Sequence, residues 1–214
     1  MQQHKYTLLY LLILFSIFLS SCGNNDQTNS PTDHPPIIIK KDKPNNKDNN
    51  PQNAPIINIT DTVSVPGNVL CFKDSAINGE RLSQKLTLIF TEKIGLLVKK
   101  YNLKIIGPPM AWYKTQKAPF FFEAGIPIDK KVLKKLPKGA FIKHMNKDSA
   151  VVAHYFGPYE ETSQAYGILK EWLTDQHKKQ TTAPYEIYIG DPLDKEGKPI
   201  DPYKVQTDIV FPHN

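Results

Sequence analysis

The chain has 214 residues, two cysteines and a formal net charge of +6. That length is enough for one domain with a hydrophobic core and some additional segments. Two cysteines do not make a cysteine-based metal site, and the six histidines show no metal-ligand spacing. We therefore expect no metal site and no cofactor.

The N-terminus is typical of a signal peptide. Lys5 precedes an apolar run over residues 8–19, which has the length of a signal-peptide core and is too short for a comfortable membrane span. The run leads directly into Leu-Ser-Ser-Cys at residues 19–22, which resembles a bacterial lipobox. The resemblance implies cleavage after residue 21 and lipidation of Cys22.

This assignment predicts where the protein resides. We expect residues 1–21 to be the signal peptide and the acylated Cys22 to anchor the mature protein in the bacterial cell envelope, since two or more acyl chains give stable attachment. Gly23 is not the aspartate that would retain a lipoprotein in the inner membrane. The expected location is the outer membrane of a Gram-negative species. Cys71, in an apolar stretch, is expected to be a buried hydrophobic residue.

Residues 22–61 are expected to form a tether. Asn, Pro, Asp and Lys dominate the segment, and such a composition cannot bury enough apolar surface to offset the entropy lost on ordering. Two short isoleucine clusters, at 37–39 and 56–57, interrupt it, and either could add an edge strand. We place the folded domain at residues 62–214.

The domain alternates strand and helix patterns. Its predicted elements are strand 69–77, helix 79–101, strands 110–113 and 120–124, strands 139–142 and 149–156, helix 159–178, and strands 185–189 and 205–211. The order predicts an α+β fold made of two βαββ-type repeats. The best internal match aligns 121–127 with 186–192, because both end in a glycine followed two residues later by proline. It places Phe121 opposite Glu186 and Glu123 opposite Tyr188.

Positive charge is concentrated between Lys130 and Lys147, where there are seven lysines. One interpretation is a solvated connector. The other is contact with anionic membrane headgroups or an anionic ligand.

Four motifs carry a family resemblance. Residues 152–159 (VAHYFGPY), 185–192 (YEIYIGDP) and 207–212 (TDIVFP), with FEAGIPI at 122–128, occur in order and at about the right spacing. Together they resemble the GyrI-like effector-binding domain, an SHS2-like fold, over about residues 65–214. The resemblance implies a pseudo-twofold α+β domain. Its curved antiparallel sheet carries two helices on one face and a ligand cleft on the other.

The resemblance also implies a ligand site. The family binds small, often hydrophobic and sometimes cationic molecules, and Glu186 matches a glutamate that lies in an aromatic pocket in several members. Strand alternation puts Glu186 and Tyr188 on one face and two isoleucines on the other. We expect the isoleucines to pack on the helices, so that Glu186 and Tyr188 line the cleft. The candidate ligand-binding residues are Glu186, Tyr188, Glu123, Phe121, Tyr155, Trp112 and Tyr113.

A carboxylate among aromatic rings is a good receptor for a cation. The favoured function is therefore a lipid-anchored envelope protein that binds a small amphipathic or cationic molecule. A hydrolase is the first alternative, because a buried Glu186 of raised pKa would also serve as a base. No catalytic residue is otherwise indicated. A structural or protein-binding lipoprotein is the second alternative. We expect no nucleic-acid partner, since an exported protein rarely meets one.

Overall fold

The computed structural model describes residues 54–132 and 134–214. The predicted signal peptide, the lipidation site at Cys22 and the tether up to residue 53 lie outside these residues. Within the described ranges, no helix is long and apolar enough to cross a membrane.

The described residues form eight strands and two helical regions. The strands are β1 (Ile56–Val63), β2 (Gly67–Ala76), β3 (Met110–Tyr113), β4 (Phe120–Ile128), β5 (Ala140–Met145), β6 (Ser149–Phe156), β7 (Tyr185–Tyr188) and β8 (Gln206–His213). The first helical region consists of α1 (Gly79–Thr87), a π-helical segment (Leu88–Lys93) and α2 (Ile94–Tyr101), and the second is α3 (Ser163–Asp175). The predicted α+β class is confirmed.

The sheet is antiparallel throughout, in the order β1-β6-β8-β7-β3-β4-β2-β5. The first repeat is β2, the first helical region, β3 and β4, and the second is β6, α3, β7 and β8. The repeats meet where β3 pairs with β7. By this topology β3 corresponds to β7 and β4 to β8. The predicted match of 121–127 with 186–192 joined β4 to β7 and is wrong, because a terminal Gly-x-Pro marks a turn in any strand.

The sheet is strongly curved. The edge strand β5 connects to β6, beside the other edge, through residues 146–148 alone. Four residue steps reach about 14 Å, whereas six strand spacings across a flat sheet would need about 29 Å. The sheet therefore curls until its edges approach each other. The hydroxyl of Ser64, just after β1, donates to the carbonyl oxygen of Asn146 over 2.9 Å and helps hold them together.

Both faces of the curved sheet are buried. On the helix face, Ile209 and Phe211 pack against Leu169 of α3, and a separate cluster forms under the first helical region. On the inner face of the curve, Trp112 and Tyr185 belong to a third apolar cluster. The central strands are thus covered on both sides.

The first strand begins inside the predicted tether. β1 pairs with β6 over its whole length, from Ile56 opposite Phe156 to Val63 opposite Ser149. The boundary predicted at residue 62 is therefore wrong for residues 56–61. The physical reason is that β6 would otherwise expose an unpaired edge, which β1 covers, while Ile57 packs against the core under α3.

Candidate functional site

Glu186 lies at the junction of the two repeats. It is on β7, between Ala111 of β3 and Ile209 of β8 in the hydrogen-bonded register. All three residues are fully buried. Because cross-strand neighbours share a face, Glu186 is on the helix face with Ile209.

The sequence predicted the wrong face of β7 as the one that packs on the helices. Glu186 and Tyr188 face the helices, whereas Ile187 joins the cluster on the inner face. The expected cleft position on the face opposite the helices is therefore wrong for Glu186. β7 is covered on both faces, so alternation along the strand does not reveal which face meets the helices.

Three tyrosines donate hydrogen bonds to the Glu186 carboxyl group. Tyr166 of α3 donates to Oε1 over 2.9 Å. Tyr159 and Tyr188 donate to Oε2 over 2.8 Å and 3.0 Å. Tyr113 extends the network, because its hydroxyl lies 2.7 Å from that of Tyr188. We call Glu186, Tyr113, Tyr159, Tyr166 and Tyr188 the tyrosine cage.

The cage has no compensating positive charge. Among the described residues, no basic side chain forms an ion pair with Glu186. Burial raises the pKa of the Glu186 carboxyl to about 7, although the three tyrosine hydrogen bonds favour its ionised form. The carboxyl group is therefore poised between its two protonation states near neutral pH.

The cage tyrosines remain hydrogen-bond donors. Burial, followed by the nearby Glu186 charge, raises the pKa of each cage tyrosine well above its ordinary value. Aromatic rings pack against one another beside the carboxyl group: the ring centroid of Tyr188 lies 6.0 Å from that of Phe90 and 6.3 Å from that of Tyr159.

A short turn carries Tyr159 to the cage. β6 ends at Phe156, and a 3₁₀ turn, Tyr159–Glu161, precedes α3. The hydroxyl of Tyr155 donates to the carbonyl oxygen of Pro158 over 2.7 Å and fixes the start of this turn. Tyr155, predicted to bind ligand, is instead a fully buried core residue with a positioning role.

The remaining predicted residues lie away from the cage. Glu123 and Trp112 pair across β3 and β4 on the inner face. The Glu123 carboxylate forms ion pairs with Nζ of Lys143 at 2.6 Å and with Nζ of Lys73 at 3.0 Å. The Nζ of Lys143 also lies 4.7 Å from the centroid of the Trp112 ring. Phe121, on the same face by strand alternation, is half exposed. The predicted set therefore splits into Glu186, Tyr188 and Tyr113 on one side of the sheet and Glu123, Trp112 and Phe121 on the other.

Sequence reasoning missed Tyr159 and Tyr166. Tyr159 was visible in the Gly-Pro-Tyr motif at 157–159, which ended the first segment of the family resemblance. Tyr166 follows seven residues later, which puts both tyrosines on the same side of the predicted helix 159–178. Neither spacing shows that β7 brings Glu186 beneath both residues.

The cage is closed. Of the two cavities described on the surface, one of about 190 Å³ opens beside Trp112 and Tyr185, and the other, of about 380 Å³, beside Lys100 and Lys131. Glu186 lines neither. Within the described residues, no group of three or more His, Cys, Asp or Glu side chains is arranged to hold a metal ion.

No protein-family model matches this chain, and no curated protein matches it. Solved structures do match. The C-terminal domain of EcmrR superposes with a TM-score of 0.61 at 18% identity, over 74% of this chain and 98% of that domain. A hydrolase from Listeria innocua superposes with a TM-score of 0.52 at 11% identity, over 73% of this chain and 91% of that one. These likenesses show a GyrI-like fold.

A third match corrects one expectation. EcmrR in a complex with DNA superposes with a TM-score of 0.60 at 19% identity, over 74% of this chain. This chain spans 57% of the length of that EcmrR chain. Because the same fold occurs in a protein bound to DNA, the expectation that nucleic acid is excluded as a partner is wrong.

Proposed function

We propose that this protein binds small amphipathic cations and that Glu186 is the charged group at the centre of its site. One observation carries the proposal: a fully buried carboxyl group is surrounded by tyrosine hydroxyls and has no basic partner among the described residues. A buried charge without a counterion is costly. A bound cation would supply the missing charge.

The walls of the cage suit the same class of ligand. Aromatic rings attract a cation through their quadrupoles, by about 0.5–2 kcal/mol for each ring in contact. Phe90, Tyr159 and Tyr188 supply adjacent rings. An organic cation with an apolar body would contact these rings while its charge lies against the carboxylate.

We place the entrance at Tyr159. This residue is 38% exposed, whereas Tyr113 and Tyr166 are buried. It stands on a three-residue 3₁₀ turn with no side-chain cap, so its movement breaks fewer contacts than movement of α3 would. A ligand would displace the Tyr159 ring and bring its positive charge close to Oε2, in place of the Tyr159 hydroxyl.

Hydrolysis is the second candidate, supported by one observation. A pKa of about 7 is close to the ideal for a general base at neutral pH. The same Glu186 would then remove a proton from water, and the cage hydroxyls would orient it. Turnover of a bound compound separates this activity from simple binding.

The ligand proposal is tested by thermal unfolding with tetraphenylphosphonium, a hydrophobic cation. At about a hundredfold over its Kd, a ligand stabilises the folded state by about 2.7 kcal/mol. We expect this shift in the wild type and in Glu123→Gln, the matched control on the opposite face. We expect Glu186→Gln to lose it.

Two results would contradict the ligand proposal. Equal stabilisation of the wild type and Glu186→Gln would remove the carboxyl group from the site. No stabilisation by any of a panel of hydrophobic cations, with Glu186→Gln as stable as the wild type at all pH values, would favour a structural or protein-binding role.

We also propose that acylated Cys22 anchors the protein in the cell envelope, in the outer membrane of a Gram-negative species. The support is the order of Lys5, the apolar run and Leu-Ser-Ser-Cys at 19–22. Mass spectrometry of the N-terminal peptide should find a lipid on Cys22. Cys22→Ala should abolish it, and Cys71→Ala, the matched control, should retain it. An unmodified Cys22 in the exported protein would refute the anchor.

A further inference from the structure

The net positive charge of the chain is concentrated in two short segments. Residues 99–104 and 129–138 contain eight lysines and one aspartate, a net charge of +7. The whole chain has a net charge of +6, so everything else sums to −1. These two segments therefore account for the basic character of the protein.

The fold brings the two segments together. The backbone N–H of Lys104 donates to Oδ1 of Asp129 over 2.8 Å, and the N–H of Asp129 donates to the carbonyl oxygen of Lys104 over 3.0 Å. The hydroxyl of Tyr101 donates to the carbonyl oxygen of Lys135 over 3.0 Å. We call the surface formed by the described residues of 99–104 and 129–138 the lysine surface.

The charges on this surface are available. Among the described residues, none of its lysines forms an ion pair with an acidic side chain. Asp129, its one acid, accepts a backbone hydrogen bond. Ion pairs with acidic side chains would give these lysines a structural role, and the described residues form none with them.

Exposed apolar side chains lie among the lysines. Ile105 is 52% exposed and Ile106 is 62% exposed. Both lie beside the end of β4, because Ile105 bridges to Ile128 and the N–H of Ile106 donates to the carbonyl oxygen of Pro127. Leu96, 69% exposed, precedes Lys99 and Lys100 by three and four residues in α2 and so shares their helix face.

Topology places this surface at the end of the sheet where the chain enters. Five antiparallel steps separate β1 from β4, so these two strands run in opposite directions. The start of β1 and the end of β4 therefore lie at the same end. Ile56, the first residue of β1, therefore lies at the end of the sheet that carries Lys130 and Lys131.

We propose that the lysine surface docks on an anionic membrane, with Ile105 and Ile106 at the level of the headgroups. Lysines interspersed with exposed apolar side chains are typical of proteins that lie on such a surface. The proposal rests on the proposed lipid anchor only for the membrane's proximity. The isoleucines favour a membrane over a nucleic acid, because phosphate binding by lysine needs no apolar contact.

Vesicle binding tests the docking without the anchor. The probe is the unlipidated chain, residues 22–214 with Cys22→Ser, mixed with phosphatidylcholine vesicles that contain or lack 30% phosphatidylglycerol. We expect binding to the anionic vesicles only, weakened by salt. Each lysine near an anionic surface increases the membrane affinity about fivefold. The combined Lys130→Gln, Lys131→Gln and Lys134→Gln variant should therefore bind about a hundredfold more weakly.

A matched control and a second variant keep the test specific. Lys170→Gln, Lys178→Gln and Lys179→Gln remove the same charge from exposed positions in and after α3 and should change binding less than twofold. Ile105→Ser with Ile106→Ser should weaken binding several-fold with an unchanged salt dependence.

Three outcomes would overturn the docking proposal. The first is an equal loss of binding in both triple-lysine variants. The second is no effect of the isoleucine substitutions together with no preference for anionic vesicles. The third is binding of a 20-base-pair DNA duplex as tightly as vesicles, lost with the same lysines, which would assign the surface to nucleic acid. None of these outcomes depends on whether Cys22 is acylated.

Discussion

Two glutamates in the central strands of the sheet have opposite electrostatic surroundings. Glu186 points to the helix face, is fully buried and accepts hydrogen bonds from tyrosines. Glu123 points to the inner face and accepts ion pairs from Lys143 and Lys73. Burial raises the pKa of Glu186. For Glu123, burial also opposes ionisation, but the hydrogen bonds and charges of the two lysines outweigh it and lower the pKa.

Among the described residues, the Glu186 carboxyl group has no basic partner, whereas the Glu123 carboxylate has two. Tyrosine hydroxyls supply hydrogen bonds but no full charge, so they only partly offset the desolvation of a carboxylate. Lysine supplies both. When it is ionised, the Glu186 carboxylate therefore has no compensating charge among the described residues, whereas the Glu123 carboxylate is already paired with two lysines. Sequence alone grouped these residues in one cleft, whereas the structure places them on opposite faces of the sheet.

The largest expected effect is on the pH dependence of stability. The pKa of Glu186 is near 4.5 in the unfolded chain and about 7 in the folded one. Between these values the folded state holds more protons, so the free energy of unfolding should fall by about 3 kcal/mol as the pH rises from 4.5 to above 7. Glu186→Gln should lack this decrease and exceed the wild type in stability at pH 8.

Urea unfolding at half-unit pH intervals measures this effect, and the midpoints should be compared at a constant denaturant slope. Glu123→Gln is the control, because it should retain the wild-type decrease between pH 4.5 and 7. A wild type whose stability is flat over this range would show that Glu186 does not titrate near neutrality.

The next largest effect concerns the innermost tyrosine. Tyr166→Phe removes the hydroxyl that donates to Oε1 of Glu186, at a position that is 4% exposed. A buried acceptor that loses its donor costs about 1–3 kcal/mol. The loss should be larger at pH 8, where the carboxyl group is ionised, than at pH 5. An equal loss at both pH values would mean that only packing had changed.

Tyr159→Phe should have a smaller effect than Tyr166→Phe. Oε2 still accepts from Tyr188, and Tyr159, which is 38% exposed, lies nearer the surface than Tyr166, so less of the buried structure depends on its hydroxyl. We expect a loss of about 0.5–1.5 kcal/mol at pH 8. Unfolding measured in parallel with Tyr166→Phe gives the order directly. The reverse order would place the accessible side of the cage at α3 instead of the 3₁₀ turn.

Much of the fold was predictable from the sequence. The 3.6-residue and two-residue periodicities gave the helices and strands of both repeats, because one face of each element packs in the core. β1 was not predicted as part of the domain. Only one of the residues 56–63 is even half-buried. The position of β1 therefore depends on its pairing with β6 and not on its own hydrophobicity.

The site was predictable only in part. Glu186 stood out through its motif, and Tyr188 and Tyr113 do join it. The face was not predictable, since β7 has neighbours on both sides and alternation is symmetrical between them. Tyr166 was missed because a buried tyrosine in an amphipathic helix resembles any other core residue until the facing strand is known.

The smallest expected effect has the opposite sign and completes the comparison. At pH 7, Glu123→Gln should lower the free energy of unfolding by about 0–1 kcal/mol, the usual contribution of ion pairs near the surface. Because the pKa of Glu123 is lowered on folding, this contribution is present above the unfolded pKa and disappears as the pH falls through the folded one. The difference between the wild type and Glu123→Gln should therefore vanish in acid, whereas that for Glu186→Gln grows towards alkaline pH.

Added salt should shrink the Glu123 effect, since lysine ion pairs are screened, and should leave the tyrosine-bonded Glu186 effect almost unchanged. A Glu123→Gln variant that, like Glu186→Gln, became more stable than the wild type at pH 8 would contradict this. It would mean that Lys143 interacts with the Trp112 ring without neutralising Glu123, and that the inner face also contains an uncompensated carboxylate.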